Sequence, residues 1–481
     1  MSDTPFSAEI MERLAETRRV LESIDQAHLL DHAEDCSAES IEALLDHCEE
    51  IDLAAAHRIM RDAAETEFKA PPLDSIRPAA SIPRHPEDED ALREIGQKLI
   101  DEGKVAAFTV AGGQGTRLGW NGPKGSFPAA PLTGKPLFRL FAEQILAANR
   151  RAERRIAWYI MTSPINDAET RAFFRDNNYF GLERTDIFMF PQGVLPSYDD
   201  DGRFMLASPE MIAVNPDGHG GSLRALRKSG AVEHMKSRGI EQISYFQVDN
   251  PSVRALDPLF LGLHLDPERS SGEMSSKMIP KTSPEEKVGV FCSIDDRTCV
   301  IEYSDLPEEL AQATDDTGKL RFIAGSIAIH ALSVDFVDRI TDGHNAQGLP
   351  LHKARKKVPR YLPDEGRTDS PETPNATKLE MFIFDAIPLA GRSLVYETDR
   401  VEEFAPIKNS EGVDSPGSSH ELQFERAARW IESSGHEFPR DADGRRLANV
   451  EISALTAMEP ADLKSSPEVP DTISPGDQLA I

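Results

Sequence analysis

Two basic side chains set just behind a cluster of glycines carry the most explicit chemistry in this chain. Arg117 and Lys124 follow Gly112, Gly113, Gly115 and Gly119, in a stretch that opens on the apolar, β-branched run Val105 to Ala111. That run reads as a buried strand feeding a loop. Glycines let backbone N–H groups approach a ligand that a Cβ would hold away. Successive N–H groups turned into one concavity bind an anion. Two fixed cations beside it suit a polyphosphate better than a single carboxylate. The spacing excludes two common phosphate loops. Gly113-x-Gly115-x-x-x-Gly119 is one residue too long for the dinucleotide fingerprint. Lys124 is followed by Gly125, not Ser or Thr, and no glycine stands where a Walker loop needs it.

A carboxylate suited to a divalent cation lies further on. Asp249, in Gln-Val-Asp-Asn-Pro, follows the apolar run Ile243 to Val248. The carboxyl end of a strand is where an α/β enzyme keeps Mg²⁺, although Asp-Asn-Pro also favours an ordinary turn. A second glycine-rich loop spans Pro216 to Ser222, with Gly218 and His219 inside it. His32, Cys36, His47 and Cys48 could in principle hold zinc, but their spacing matches no common ligand pattern, and side chains on amphipathic helices explain them.

The string Gly-Gly-x-Gly-Thr-Arg-x-Gly followed by Pro-Lys-Gly, placed after a strand, closely resembles the signature of the nucleotide-sugar pyrophosphorylases. It is most similar to the eukaryotic-type UDP-N-acetylhexosamine pyrophosphorylase and UDP-sugar pyrophosphorylase group. The resemblance covers roughly Ile95 to Asn409. It implies that Ala111, Gly112, Gly113, Gly115 and Thr116 hold the nucleotide. It implies that Arg117 neutralises the β and γ phosphates of UTP, Lys124 stabilises the α phosphate under attack, and Asp249 holds Mg²⁺. Gln192, in Phe-Pro-Gln-Gly, matches a glutamine used on the uracil edge, where an amide supplies both donor and acceptor. Gly218 matches the loop whose backbone contacts uracil, and His219 stands where the family has an asparagine that reaches sugar or phosphate. Imidazole can still donate a hydrogen bond there. Glu302, in Glu-Tyr-Ser, matches a glutamate on the sugar hydroxyls, and Ser326 replaces a common sugar-contacting asparagine. Phe382 and Phe384 match aromatics that border the N-acetyl pocket, though core packing explains them equally well. Lys408, in Glu-Phe-Ala-Pro-Ile-Lys-Asn, matches a lysine that reaches the sugar phosphate. The basic cluster His352 to Arg360 is read as a helix lining an anionic substrate site.

These residues need a scaffold, and the chain supplies one. Helical spacing covers residue 7 to about 67, with Ser40 as a candidate cap. Pro71 to Pro86 is a stiff connector. From Ala91 to Val248, strands alternate with helices, including a helix from Asn166 to Asn177 that Asn166 would cap. This predicts a parallel sheet covered on both faces. Short β runs follow from Ser275 to Ile329, and Leu379 to Ile387 is an apolar segment of helical character. Gly412 to Ser419 reads as a loop, Leu422 to Ser434 as a helix, and Ser465 to Ile481 as a disordered tail. The expected fold is α/β: a doubly wound, Rossmann-like nucleotidyltransferase core of GT-A-like type with a mixed sheet. The expected regions are 1–90 (helices and linker), 91–409 (catalytic) and 410–481 (a small β-containing end).

Composition sets the outer limits. The 481 residues carry a formal charge of -29, a field that repels nucleic acid and anionic membrane. Any phosphate ligand therefore needs a local basic pocket. Four scattered cysteines, with no basic and apolar leader at the N-terminus, are expected of a reduced, cytoplasmic protein. No apolar run approaches the roughly 20 residues of a membrane helix. The expected activity joins UTP to a sugar 1-phosphate with Mg²⁺, in a monomer. N-acetylglucosamine 1-phosphate is the first choice of sugar; glucose or galactose 1-phosphate is second because of Ser326 and His219. A catalytically silent nucleotide-binding homologue is opposed by the intact Arg117, Lys124 and Asp249, and a dinucleotide-dependent oxidoreductase by the loop spacing.

Overall fold

The computed structural model describes residues 6–65, 71–152, 154–342 and 349–481. The chain forms two compact units, each assembled from separated stretches. One comprises Met1–Ala70, Gln192–Ser222 and Leu349–Ile383; the other comprises Pro71–Pro191, Leu223–Gly348 and Phe384–Ile481. This partition cuts across boundaries drawn near residues 90 and 409. The reason is a shared core: Leu21, Leu44, Leu195, Ile212 and Leu379, from all three stretches of the first unit, pack in one apolar cluster. Sequence order cannot display a core assembled from such distant segments.

In the larger unit, the strands Gln242–Gln247, Val105–Val110, Trp158–Thr162 and Ile187–Pro191 lie side by side and parallel. Val105 to Phe108 are fully buried, which an apolar, β-branched run between covered faces requires. The sheet continues through antiparallel strands. Ala324–Ser333 pairs with Gln242–Gln247, with Met274–Pro280 and with Val290–Ile294, giving ten strands in a mixed sheet, as expected. Helix Glu89–Asp101 ends at Gly103, whose φ of +65° lets its N–H reach the Ile100 carbonyl at 2.9 Å. That turn delivers the chain into Val105. The same helix packs on helix Pro258–Leu265 through facing glycines. A Cβ on Gly96 would lie 1.8 Å from the Pro258 carbonyl oxygen, and one on Gly262 would lie 1.9 Å from that of Leu92. The proline-rich connector carries a two-residue strand, Arg77–Pro78, paired to Val290–Ile294.

Two expectations for the C-terminal region are corrected. Helix Pro416–Ser433 starts inside the segment read as a loop: Ser415 and Ser418 bond each other's backbone N–H, and Pro416 fits the first turn. The tail is ordered. Gln478–Ala480 pairs in parallel with Asn449–Glu451, and Val469 and Ile473 join Trp430, Ile431 and Val450 in one cluster. A few apolar residues, spaced to fall into that core, outweigh the polar composition between them.

In the smaller unit, helices Ala8–Ser23, Ala38–Glu50 and Leu53–Glu65 follow the expected helical stretch; residues 66 and 67 lie outside the described residues. Ser37, not Ser40, caps the second helix, accepting the Ser40 N–H at 3.1 Å. The basic cluster is a strand rather than a helix. Leu351–Lys356 pairs antiparallel with Ala376–Met381, and exposure alternates along His352, Lys353, Ala354 and Arg355, the period of two that a strand imposes. Arg355 forms an ion pair with Asp200. The apolar segment read as helical is this Ala376–Met381 strand, followed by a 3-10 turn at Ile383–Leu389. The four thiol and imidazole residues near the N-terminus form no metal cluster. His32 bonds the Pro209 carbonyl at 3.0 Å, and His47 Nδ1 accepts the Ile212 N–H at 3.1 Å.

Candidate nucleotide and metal site

The glycine loop leaves the carboxyl end of the Val105–Val110 strand and is held in shape from several sides. Lys124 N–H donates to the Gly113 carbonyl at 3.1 Å, and Gly115 N–H donates to that of Gly122 at 2.9 Å. Its glycines do different work. A Cβ on Gly115 would lie 2.7 Å from Trp120, and one on Gly125 would lie 2.2 Å from Phe138, so packing demands both. A Cβ on Gly113 would meet only Lys124 Cδ, at 3.8 Å. The space in front of Gly113 is open to a ligand. Ala111, Gly112 and Thr116 flank it, and Arg117 stands exposed in the 3-10 turn Thr116–Leu118.

Asn166 also holds the loop. Its side-chain amide donates to the carbonyls of Ala111 at 3.0 Å and Gly113 at 3.2 Å, while its oxygen accepts the Ser163 N–H at 2.8 Å. The expected helix cap is therefore corrected: the side chain is spent on the loop and caps nothing. No local pattern signals this role, because the partners lie 55 and 53 residues away.

Asp249 sits just beyond the strand Gln242–Gln247, which neighbours Val105–Val110 in the parallel sheet. Lys124 Nζ lies 3.6 Å from Asp249 Oδ2, and the two side chains are 15% and 13% exposed. An ammonium from the loop's 3-10 turn Lys124–Ser126 thus faces a carboxylate beyond the neighbouring strand, an ion pair too long for a close hydrogen bond. Among the described residues, no three His, Cys, Asp or Glu side chains gather to hold a metal. One carboxylate beside an open phosphate loop still fits a hard divalent cation, which favours oxygen ligands. Asp249 would hold it.

The neighbouring Asn250 ties in the segment that carries Lys408. Its amide donates to the Glu403 carbonyl at 2.6 Å, and its oxygen accepts the Ala405 N–H at 3.0 Å. The Ile407 N–H then bonds the Asp249 carbonyl at 2.8 Å. Lys408 follows directly, with Nζ 3.6 Å from Asp414. Ser326 N–H bonds the Gly289 carbonyl at 2.7 Å, and a Cβ on Gly289 would lie 3.4 Å from Glu302 Oε1, so Ser326 and Glu302 share one neighbourhood. Beyond Ser326 the strand bulges at Ala328, where φ is +52°. Phe384 is buried, which favours the packing role for it.

The second glycine loop belongs to the smaller unit, with Gln192 and Phe382. Asp217 is enclosed by it: a Cβ on Gly221 would lie 2.0 Å from its Oδ1, and one on Gly193 would lie 2.6 Å from its Oδ2. Gly218, with φ +84°, abuts the Met381 carbonyl. These glycines are therefore required by packing, whatever the loop binds. Gln192 is buried, with Nε2 3.5 Å from Asp217 Oδ1. His219 stacks on Phe382 with ring centres 5.3 Å apart, and its Nδ1 accepts the Ile383 N–H at 3.1 Å. That bond puts the ring proton on Nε2. Burial, then the nearby His352, push the His219 pKa down to about 4, so the ring is neutral near neutral pH.

A phosphate loop and a carboxylate at the ends of adjacent parallel strands define an α/β protein of the nucleotidyltransferase kind. The chain belongs to the UTP–glucose-1-phosphate uridylyltransferase family, whose model matches residues 54–419. It is 34% identical over 458 residues to the UDP-N-acetylglucosamine diphosphorylase 2 of Arabidopsis thaliana, covering 90% of this chain and 87% of that protein. It is 34% identical over 421 residues to the UDP-N-acetylglucosamine pyrophosphorylase of Saccharomyces cerevisiae, covering 85% and 86%. Among solved structures, the inhibitor-bound uridine diphosphate N-acetylglucosamine pyrophosphorylase of Trypanosoma brucei matches with a TM-score of 0.80 at 26% identity, over 94% of each chain. Among the described residues, no helix is long and apolar enough to cross a membrane.

Proposed function

We propose that this chain is a uridylyltransferase that converts UTP and N-acetylglucosamine 1-phosphate into the UDP-sugar and pyrophosphate. The observation that carries this reading is the pairing of Lys124 with Asp249 at 3.6 Å beside the open side of Gly113. A phosphate oxygen of the sugar 1-phosphate attacks the α phosphorus of UTP in line. The bond to the bridging oxygen breaks, and its electrons leave with pyrophosphate. The nucleophile is already anionic, so no general base is needed. The protein's task is positioning and charge neutralisation. Lys124 stabilises charge on the α phosphate, Arg117 takes the β and γ phosphates, and Lys408 steadies the sugar phosphate. Gln192 and Gly218 read uracil, while His219, Glu302, Ser326 and Phe382 contact the sugar side. Asp249 would hold Mg²⁺, which would supply Lewis-acid neutralisation of the phosphates.

The names of the relatives support N-acetylglucosamine as the sugar. The short Ser326 side chain favours glucose or galactose as the second choice. The four cysteines are unpaired, which supports a cytoplasmic setting, and the reading takes the chain as a monomer. The test is pyrophosphate release from UTP and N-acetylglucosamine 1-phosphate with and without MgCl₂. Release that needs both the metal and the sugar phosphate supports the reading. Nucleotide binding without release would identify a silent homologue.

A further inference from the structure

A cavity of about 330 Å³ opens in the larger unit, and its walls include neither the glycine loop nor Asp249. Five arginines line it, Arg93, Arg150, Arg151, Arg254 and Arg426, beside the indole of Trp430. The Arg426 and Arg254 guanidinium carbons lie 4.5 Å and 5.9 Å from the centre of that one ring. Each of these two side chains is 19% exposed. Arg254 has counter-charge in Glu402 at 3.3 Å and Glu403 at 3.7 Å, so the second like charge beside it, Arg426, is the one that calls for more.

The protein supplies too little at Arg426. The nearest carboxylate oxygen, Glu402 Oε2, already accepts from Trp430 Nε1 at 2.7 Å and from Arg254 at 3.3 Å. It lies 3.9 Å from Arg426 Nε, beyond hydrogen-bond reach. Among the described residues Arg426 has one hydrogen-bond acceptor, the Ser252 carbonyl 3.1 Å from Nη1, and none at Nε or Nη2. Burial pushes its pKa down to about 10, the direction expected of a cation short of partners. Four carboxylates line the wall itself: Glu459 and Asp462 face Arg93 at 3.9 Å and Arg151 at 3.1 Å, and the other two are committed outside it. Glu143 bonds Lys135 and Arg139, and Glu451 accepts the N–H groups of Leu132 and Thr133.

We propose that this cavity is a second anion site, which takes a phosphate group on the forks of Arg426 and Arg254. A planar guanidinium offers paired N–H donors that match phosphate oxygens. The volume lies at the small end of ligand pockets, room for inorganic phosphate or a small phosphate monoester rather than a nucleotide.

Two measurements test this independently of the transfer reaction. Wild-type crystals soaked in selenate should show an anomalous difference peak within hydrogen-bond distance of the Arg426 guanidinium; a map with no peak there overturns the proposal. Calorimetric titration uses a Lys124→Ala background, which removes one of the two loop cations. Inorganic phosphate and a hexose 6-phosphate are the two ligands. At least one should bind, and Arg426→Met should weaken that binding at least about tenfold, with the melting temperature checking the fold. Binding unchanged by Arg426→Met, or no binding by either ligand, overturns the site. Tighter binding of the ester identifies a monoester as the occupant, and the reverse identifies free phosphate.

Discussion

Lys124 and Asn166 bracket what a single residue can be made to reveal. Removing the Lys124 ammonium leaves the loop backbone bonds intact, because those are made by main-chain groups. Lys124→Ala should therefore lower kcat roughly 10²- to 10³-fold, the usual cost of one preorganised charge, with the melting temperature nearly unchanged. Turnover within a few-fold of wild type would remove Lys124 from the transfer step. Asn166→Ala should behave differently. It strips two acceptors of their donor, so it should cost about 1–3 kcal/mol of stability and raise the KM for UTP more than it lowers kcat. Denaturant melts and initial rates at varied UTP check both. Lys124, Asp249 and Gly113 were singled out from short contiguous motifs, and the structure brings Lys124 and Asp249 within 3.6 Å. Asn166 and Asn250 were not legible as parts of the site. Their partners lie far along the chain, and an asparagine before a helix or inside a turn already has a local explanation.

Elements obeyed local signals where one signal dominated and escaped them where two competed. The Val105–Val110 strand came from a continuous apolar, β-branched run, and the Glu89–Asp101 helix, read as Ala91 to Gly103, from Gly103 as its C-cap. The start of helix Pro416–Ser433 was hidden, since Ser, Pro and Gly together also spell a loop. Ser415 decides between the two by capping. Ser415→Ala should cost about 1 kcal/mol, read as a lower urea midpoint, without changing kcat. The basic strand Leu351–Lys356 was missed for a related reason: charged residues at its alternate positions gave no apolar stripe of either period. The tail strand Gln478–Ala480 has no signal of its own. Its order comes from pairing with Asn449–Glu451.

For the whole molecule, the parallel part of the sheet was foreseeable from alternating elements, while the partition into two units was not. A core such as Leu21, Leu195 and Leu379 is formed by distance in space and not by order in sequence. Acid stability is also set at this scale, by what the larger unit buries. His264 is fully enclosed, between Ser275 Oγ at 2.8 Å and Gln242 Oε1 at 3.1 Å. Burial pushes its pKa from 6.5 down to about 4. In that window the unfolded chain binds the proton and the folded chain does not, so stability falls as pH drops from 6.5 towards 4. The loss from this one group is on the order of 3 kcal/mol. His264→Gln should flatten that part of the stability curve in urea melts at pH 7 and pH 4.5. An equal acid loss in both proteins would show that His264 does not set it.

The transfer reaction is tested most directly by kcat/KM for pyrophosphate release from UTP with Mg²⁺, compared across the 1-phosphates of N-acetylglucosamine, N-acetylgalactosamine, glucose and galactose. Release is expected, fastest with N-acetylglucosamine 1-phosphate. A folded protein that releases no pyrophosphate with any of the four would contradict that expectation.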